Sequence, residues 1–252
     1  MPRYAREKSE SGIYHIMLRG INRQDIFEED EDRQRFTDTV KHYKTISKYE
    51  VYGYCLMSNH VHLLLGEKEE CLSTAIKRIC GSYVYWYNWK YGRCGHLFQE
   101  RYKSETVQND GYFLIVLRCI HQNPVKVGLC GNPSEYIWSS YKEYVKNASI
   151  ADTKPALEMF TNDKSKAVKL FEEYMNEANE DKCLEYEERV KITDSEVRAH
   201  FSRLGVSNIS DLQKEEKNKR NELIREVKSI EGITIRQLSR ITGISKSVID
   251  RI

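Results

Sequence analysis

The sequence predicts an α+β fold in which an antiparallel sheet carries amphipathic helices, and three observations lead there. Residues 13–19, 51–57 and 60–65 read as short apolar strands bounded by turn residues, the first alternating with period two. Apolar residues recur at helical spacing in 32–49 and 71–91. Short turns separate these segments, and with a further strand and helix the order becomes βαββαβα. A chain of 252 residues suffices for one sizeable core and a smaller unit, and 40% hydrophobic with 31% charged residues is the balance of a folded chain.

In order, Ser11-Gly12 opens the first strand, 13–19, which Gly20 ends. Ile13, His15, Met17 and Arg19 share one face of it; Tyr14, Ile16 and Leu18 share the other. After an acidic turn, Phe36, Val40, Tyr43 and Ile46 mark a helix over 32–49. Strands 51–57 and 60–65 form a hairpin about Ser58-Asn59. A long helix over 71–91 sets Leu72, Ala75, Ile76, Ile79, Tyr83, Trp86 and Tyr87 on its apolar side and ends at Gly92-Arg93-Cys94-Gly95. A fourth strand is expected within 97–107, then a helix over 110–122 stopping at Asn123-Pro124. This order suits a ferredoxin-like sheet with helices on one face and the other face open.

A short helix closes this unit within 138–147. From Ala148 the apolar residues thin out, so domains are expected at 1–147 and 194–252, joined by a helical connector over 148–193. Near the C-terminus Thr234 is a plausible helix cap, Gly243 a break and Ser245 a second cap. Ile235, Leu238, Ile241, Ile244, Val248 and Ile249 would point inward in a helix-turn-helix that offers Lys246, Ser247, Asp250 and Arg251 to DNA. A small bundle used only for packing fits the same pattern.

Charge is not diagnostic. Residues 1–147 hold 21 Lys and Arg against 18 Asp and Glu, and the whole chain carries +2, so a DNA site must be a local patch. The 17 tyrosines, several beside Lys or Arg as in Arg101-Tyr102-Lys103, suit stacking on unpaired bases as well as core packing. No apolar run reaches membrane-spanning length and the N-terminus lacks a signal-peptide pattern, which points to a cytoplasmic protein without a membrane partner. Seven cysteines without Cys-x-x-Cys pairing suggest free thiols.

The chemistry centres on His60-Val61-His62. Alternation puts both imidazoles on one strand face, about 7 Å apart along the chain, where they can close on a cation. Two strand histidines that bind nothing are the plainer alternative. On the later helix, Tyr112, Val116, Cys119 and Asn123 form a stripe, and an Asn123 oxygen would complete a His60–His62–Asn123 set suited to Mg²⁺ or Mn²⁺. Asn123 can equally cap the helix end.

Four ordered segments carry a family resemblance: Tyr14-His15-Ile16-Met17-Leu18-Arg19-Gly20; Met57-Ser58-Asn59-His60-Val61-His62-Leu63; Gly95-His96-Leu97-Phe98-Gln99-Glu100-Arg101-Tyr102-Lys103-Ser104; and Ile120-His121-Gln122-Asn123-Pro124-Val125-Lys126-Val127-Gly128. Residues 1–145 resemble the IS200-type single-tyrosine (HUH) transposases, most closely the branch associated with repetitive extragenic palindromes. The resemblance implies cleavage and rejoining of single-stranded or hairpin DNA, with His60, His62 and Asn123 on a divalent ion that polarises the phosphate for attack by a tyrosine. It also implies a homodimer or a monomer. Arg19, Arg101 and Lys103 are candidate phosphate contacts, and His96 or Gln99 candidates for shaping the site.

The chain departs from the family at one position. Four residues before the third ligand the family carries its nucleophilic tyrosine, and this sequence carries Cys119. A soft sulfur is poorly matched to phosphorus, and a thiol is several ångströms shorter than a phenol. Three explanations stay open: a cleavage-dead copy that still binds DNA, a Tyr→Cys change, or a nucleophile from elsewhere, Tyr112 lying about 10 Å along the helix. The readings are therefore a DNA-strand transferase impaired at Cys119, a DNA-binding regulator derived from one, and, least favoured, a metal-dependent hydrolase that uses water.

Overall fold

The computed structural model describes residues 7–184, 192–206, 208–212, 215–230 and 232–252, and its contacts divide the chain into two units, Met1–Glu185 and Tyr186–Ile252. In the first unit the order is β1 (Ile13–Arg19), α1 (Asp30–Ser47), β2 (Glu50–Leu56), β3 (His60–Gly66), α2 (Leu72–Lys90), β4 (Lys103–Thr106) and α3 (Asp110–Lys126). The sheet order is β2-β3-β1-β4 with every neighbour antiparallel, the expected arrangement.

Alternation sorts each strand between two cores. Ile16, Leu18, Val61, Leu63 and Leu65 pack with Phe36 and Val40 of α1 and with Ile76, Ile79 and Tyr83 of α2. Tyr52, Cys55, Met57 and Leu64 meet Phe113, Val116, Leu117 and Ile120 of α3. The second face is thus covered, not open as the sequence suggested, because α3 carries an apolar stripe that must be buried. Gly53 lets it settle closely: a Cβ there would lie 2.7 Å from Leu117 Cδ1.

Asp32 secures the first turn of α1. Its buried carboxylate accepts the backbone N–H groups of Glu28 at 2.7 Å and Glu29 at 2.8 Å and pairs with Lys90 Nζ at 2.8 Å.

The chain then forms α4 (Tyr141–Val145), α5 (Lys154–Glu158) and α6 (Lys164–Asn176). The segment expected as a connector contributes here to the first unit: Phe171 and Met175 of α6 are fully buried in the α3-side core. Its residues 185–191 lie outside the described residues. Residues 138–152 run beside β2. Leu56 N–H donates to the Trp138 carbonyl at 2.9 Å, Ser140 N–H to Tyr54 at 3.0 Å, Tyr144 hydroxyl to Tyr52 at 2.6 Å and Asp152 N–H to Val51 at 2.6 Å.

Two boundaries differ from expectation. The fourth strand is only four residues long, since Glu100 at φ 60° turns the chain away just before it. Helix α3 continues through Pro124 to Lys126. Pro124 falls in its last turn, where the missing N–H costs one bond and Val127 N–H still reaches the Asn123 carbonyl at 3.3 Å.

The second unit is helical: α7 (Asp194–Arg203), α8 (Ile209–Leu212), α9 (Lys217–Lys228), α10 (Ile235–Thr242) and α11 (Lys246–Arg251). Thr234 caps α10 by accepting Gln237 N–H at 3.1 Å, and Gly243 turns the chain at φ 72°. Ser245 precedes α11, but its hydroxyl lies on Ser247 at 3.2 Å and caps no backbone group. Leu238, Ile241 and Ile249 are buried as expected; Ile235 and Ile244 are half-buried. Val248, expected inward, is exposed because the short α11 buries the Ile249 side. Among the described residues no helix is long and apolar enough to cross a membrane.

Candidate functional site

Three elements converge where β1, β3 and the last turns of α3 meet. Period two on β3 aims His60 and His62 at α3, and Asn123 comes down from the helix between them. Asn123 Oδ1 lies 3.3 Å from His60 Nε2, and Asn123 Nδ2 lies 3.2 Å from His62 Nε2. His60 Nδ1 is 2.6 Å from Asn59 Oδ1, and Asn59 donates its own amide N–H to the Arg23 carbonyl at 3.4 Å. The Asn59 oxygen therefore takes the Nδ1 proton of His60, and Nε2 is left as a lone pair.

Burial keeps these rings neutral. It pushes His60 down to about 4, assisted by the Arg19 charge and opposed by Asn123. His62, 3% exposed, is driven well below its ordinary value by burial and then by His15 and His60. Neutral imidazoles are the form that ligates metals.

The donor set fits a cation. If His62 also presents a lone pair at Nε2, either orientation of the Asn123 amide sets its oxygen against an imidazole lone pair, an acceptor–acceptor contact that a cation relieves. Two imidazoles and one amide oxygen make a mixed set suited to a divalent ion with further oxygen ligands. Among the described residues no group of three or more His, Cys, Asp or Glu side chains is arranged for a metal.

Cys119 stands one turn before Asn123, and its sulfur is bonded to Cys183. The expectation of free thiols is therefore wrong for this pair and stands for Cys55, Cys71, Cys80, Cys94 and Cys130. The reason is local: residues 177–183 are tied along α3 by side chains spaced one turn apart. Arg118 pairs with Asp181 at 2.7 Å and Glu177 at 3.0 Å, and Gln122 donates to the Met175 and Glu177 carbonyls at 2.8 and 2.9 Å. Lys126 reaches the Asp181 carbonyl at 3.3 Å. Cys183 thereby arrives opposite Cys119, and the space bounded by His15, His62, Cys119, Asn123, Lys126 and Cys183 shrinks to about 10 Å³.

A larger cleft of about 680 Å³ runs beside β4, lined among others by His96, Phe98, Arg101, Tyr102 and Lys103. Arg101 is exposed and Lys103 half-buried. Gln99 does not line this cleft; its N–H donates to the Arg19 carbonyl at 2.7 Å. Arg19 stands opposite His60 in the β1–β3 register, nearer the imidazole cluster. Lys246, Ser247, Asp250 and Arg251 are exposed on α11 in the second unit.

Two further residues of α3 stand apart from this cluster. His121 is a core residue: its Nε2 lies 2.8 Å from Ser140 Oγ, its ring packs edge-on against Tyr141, Tyr144 and Phe171, and burial pushes it down to about 3. Burial, and then the neighbouring Glu105 carboxylate, raise the Tyr112 hydroxyl. Sequence reasoning missed His15, whose Nε2 is 2.9 Å from His62 Nδ1. The available signal was a histidine at an inward position of an apolar strand, which must find a polar partner.

With this geometry in view, comparison with known proteins gives a matching family model and solved structures of similar fold, among them the following. A family model described as "Transposase IS200 like" matches residues 8–123. The structure of a REP-associated tyrosine transposase bound to a REP hairpin is similar over 57% of this chain and 86% of that chain, at 18% identity and a TM-score of 0.50, a likeness of fold. A transposase-assigned protein of Deinococcus radiodurans R1 is matched over 50% of this chain and 97% of its own, at 19% identity and a TM-score of 0.34. No curated protein matches.

Proposed function

We infer that this chain, whose residues 8–123 match the IS200-like transposase model, is a protein of that kind that binds single-stranded or hairpin DNA but is impaired in strand transfer. The observation that carries the reading is Cys119. It occupies the helix position one turn before Asn123, has no phenol, and is bonded to Cys183. A sulfur in a disulfide has neither a proton to lose nor a free thiolate for attack.

His60, His62 and Asn123 would hold Mg²⁺ or Mn²⁺, which when bound supplies Lewis-acid polarisation of a phosphate oxygen. Arg101 and Lys103 on the wall of the β4 cleft supply phosphate contacts, with Phe98 and Tyr102 beside them for stacking on unpaired bases. Arg19 places a further cation near the His60 ring. The REP hairpin bound by the structural neighbour is the natural first probe.

The test is a gel-shift and covalent-adduct assay with a labelled palindromic hairpin and Mg²⁺ or Mn²⁺. The parent is expected to shift the hairpin and leave no denaturation-resistant adduct. The Cys119→Tyr, Cys183→Ser double variant, in which the ring is freed from the strap, is expected to form one. An adduct in the parent would overturn the reading.

A DNA-binding regulator derived from such a transposase is the second reading, favoured by one observation: Lys246, Ser247 and Arg251 stand exposed on α11 beyond the turn at Gly243. Binding of duplex DNA by the full chain that survives His60→Ala but is lost in Lys246→Glu, Arg251→Glu would support it.

A further inference from the structure

A metal-ligating imidazole must present a lone pair, so whatever holds its other nitrogen decides whether it can ligate. For His60 that partner is Asn59. For His62 it is another ring: His15 Nε2 stands 2.9 Å from His62 Nδ1, with both rings buried. At that distance one nitrogen donates and the other accepts, and two arrangements exist.

If His15 donates from Nε2, its Nδ1 becomes a lone pair. That lone pair faces Glu105 Oε2 at 3.7 Å, and His62 then carries its proton on Nε2 and cannot ligate there. If His62 donates from Nδ1, the proton of His15 sits on Nδ1 and points toward the carboxylate, and His62 Nε2 presents a lone pair to Asn123. The carboxylate favours the second arrangement, since it attracts an N–H and repels a lone pair. Register fixes this geometry, because His15 and Glu105 are cross-strand partners between β1 and β4. His15 Nδ1 and Glu105 Oε2 are both buried without a hydrogen-bond partner and face each other at 3.7 Å. The Tyr112 hydroxyl, from the start of α3, and the Leu184 backbone also act on this carboxylate.

We propose that Glu105 and His15 are positioning residues that fix the Nδ1–H form of His62 and thereby set the affinity of the site for a divalent cation. The inference rests on the reading of His60, His62 and Asn123 as ligands. Glu105 holds His15, His15 holds His62, and neither Glu105 nor His15 touches the ion.

The experiment is a Mn²⁺ titration of the full chain, followed by the paramagnetic resonance of free Mn²⁺, together with ¹⁵N NMR of the His62 ring without metal. His15→Leu is expected to weaken Mn²⁺ binding by about 10- to 100-fold. His15→Gln, whose side-chain oxygen can still accept the Nδ1–H, is expected to recover most of it. The ring of His62 should read as Nδ1–H in the parent and in His15→Gln, and as a mixture in His15→Leu. Should His15→Leu not fold, Glu105→Ala at a partly exposed position is expected to move the tautomer and the affinity in the same direction. Parent-like affinity and tautomer in both variants would overturn the proposal and leave the ligand set standing. A parent that binds no Mn²⁺ would overturn the ligand set and the proposal with it.

Discussion

The two faces of the sheet are built from the same three strands and hold opposite contents. Toward α1 and α2 the strands send apolar side chains such as Ile16, Leu18, Val61, Leu63 and Leu65, and Phe27, Phe36 and Tyr83 pack with ring centroids 5.2–5.7 Å apart. Toward α3 the face is apolar at one end, where Tyr52 meets Phe113, and polar at the other, where His15, His60, His62 and Asn123 gather. A strand that alternates side chains can serve both at once: Val61, fully buried on the first face, anchors the backbone from which His60 and His62 project on the second. Stability and chemistry are thus separated by the pleat and not by distance along the chain.

That division can be broken or sharpened by substitution. The largest effect is expected on the apolar face: Phe36→Ala should cost about 3–5 kcal/mol in urea unfolding while the folded fraction keeps its Mn²⁺ affinity. A coupled loss of both would mean the faces are not independent. Next comes the covalent tie on the α3 face. Cys119 and Cys183 are 64 residues apart, and closing a loop of that size restricts the unfolded chain by about 4 kcal/mol. Reduction, or Cys183→Ser, should lower stability by about 2–4 kcal/mol; a loss below about 1 kcal/mol would assign the strap to Arg118, Gln122 and Lys126 alone.

Asp32 brings the pH dependence of the first face. Burial alone would raise its carboxyl, but the Lys90 ammonium, the Glu29 N–H, the Tyr91 hydroxyl and the Glu28 N–H outweigh that and hold it below the ordinary 3.8. Because the folded value is depressed, this stability is present above pH 3.8 and is lost as pH falls below it. Asp32→Asn should cost about 1–3 kcal/mol at neutral pH and flatten that part of the acid unfolding curve. The smallest effect on stability is expected at half-buried His60: His60→Ala should cost under about 1 kcal/mol and still abolish Mn²⁺ binding. A loss as large as that of Phe36→Ala would sink the division between faces.

Much of this was legible in the sequence. β1 falls on the expected residues and β2, β3, α1 and α2 lie within two residues of expectation, because each depends on local periodicity; His60, His62 and Asn123 do come together, across the packing of α3 on β3. What was hidden depends on register and on distant chain. The His15–His62 contact follows from how β1 lies against β3, and Cys183 meets Cys119 only because Arg118, Gln122 and Lys126 guide the chain after α6. Pro124 read as a stop, yet a proline in a final turn removes only one bond that the helix can spare.

The segment beside β2 has a consequence for assembly. Residues 138–152 already take the outward carbonyls of Val51, Tyr52 and Tyr54 and the N–H of Leu56. A second polypeptide that sought to extend the sheet by strand addition at β2 would find that rim occupied. Two copies of this chain therefore could not pair edge to edge through β2, because its own later segment already holds the place a partner strand would take.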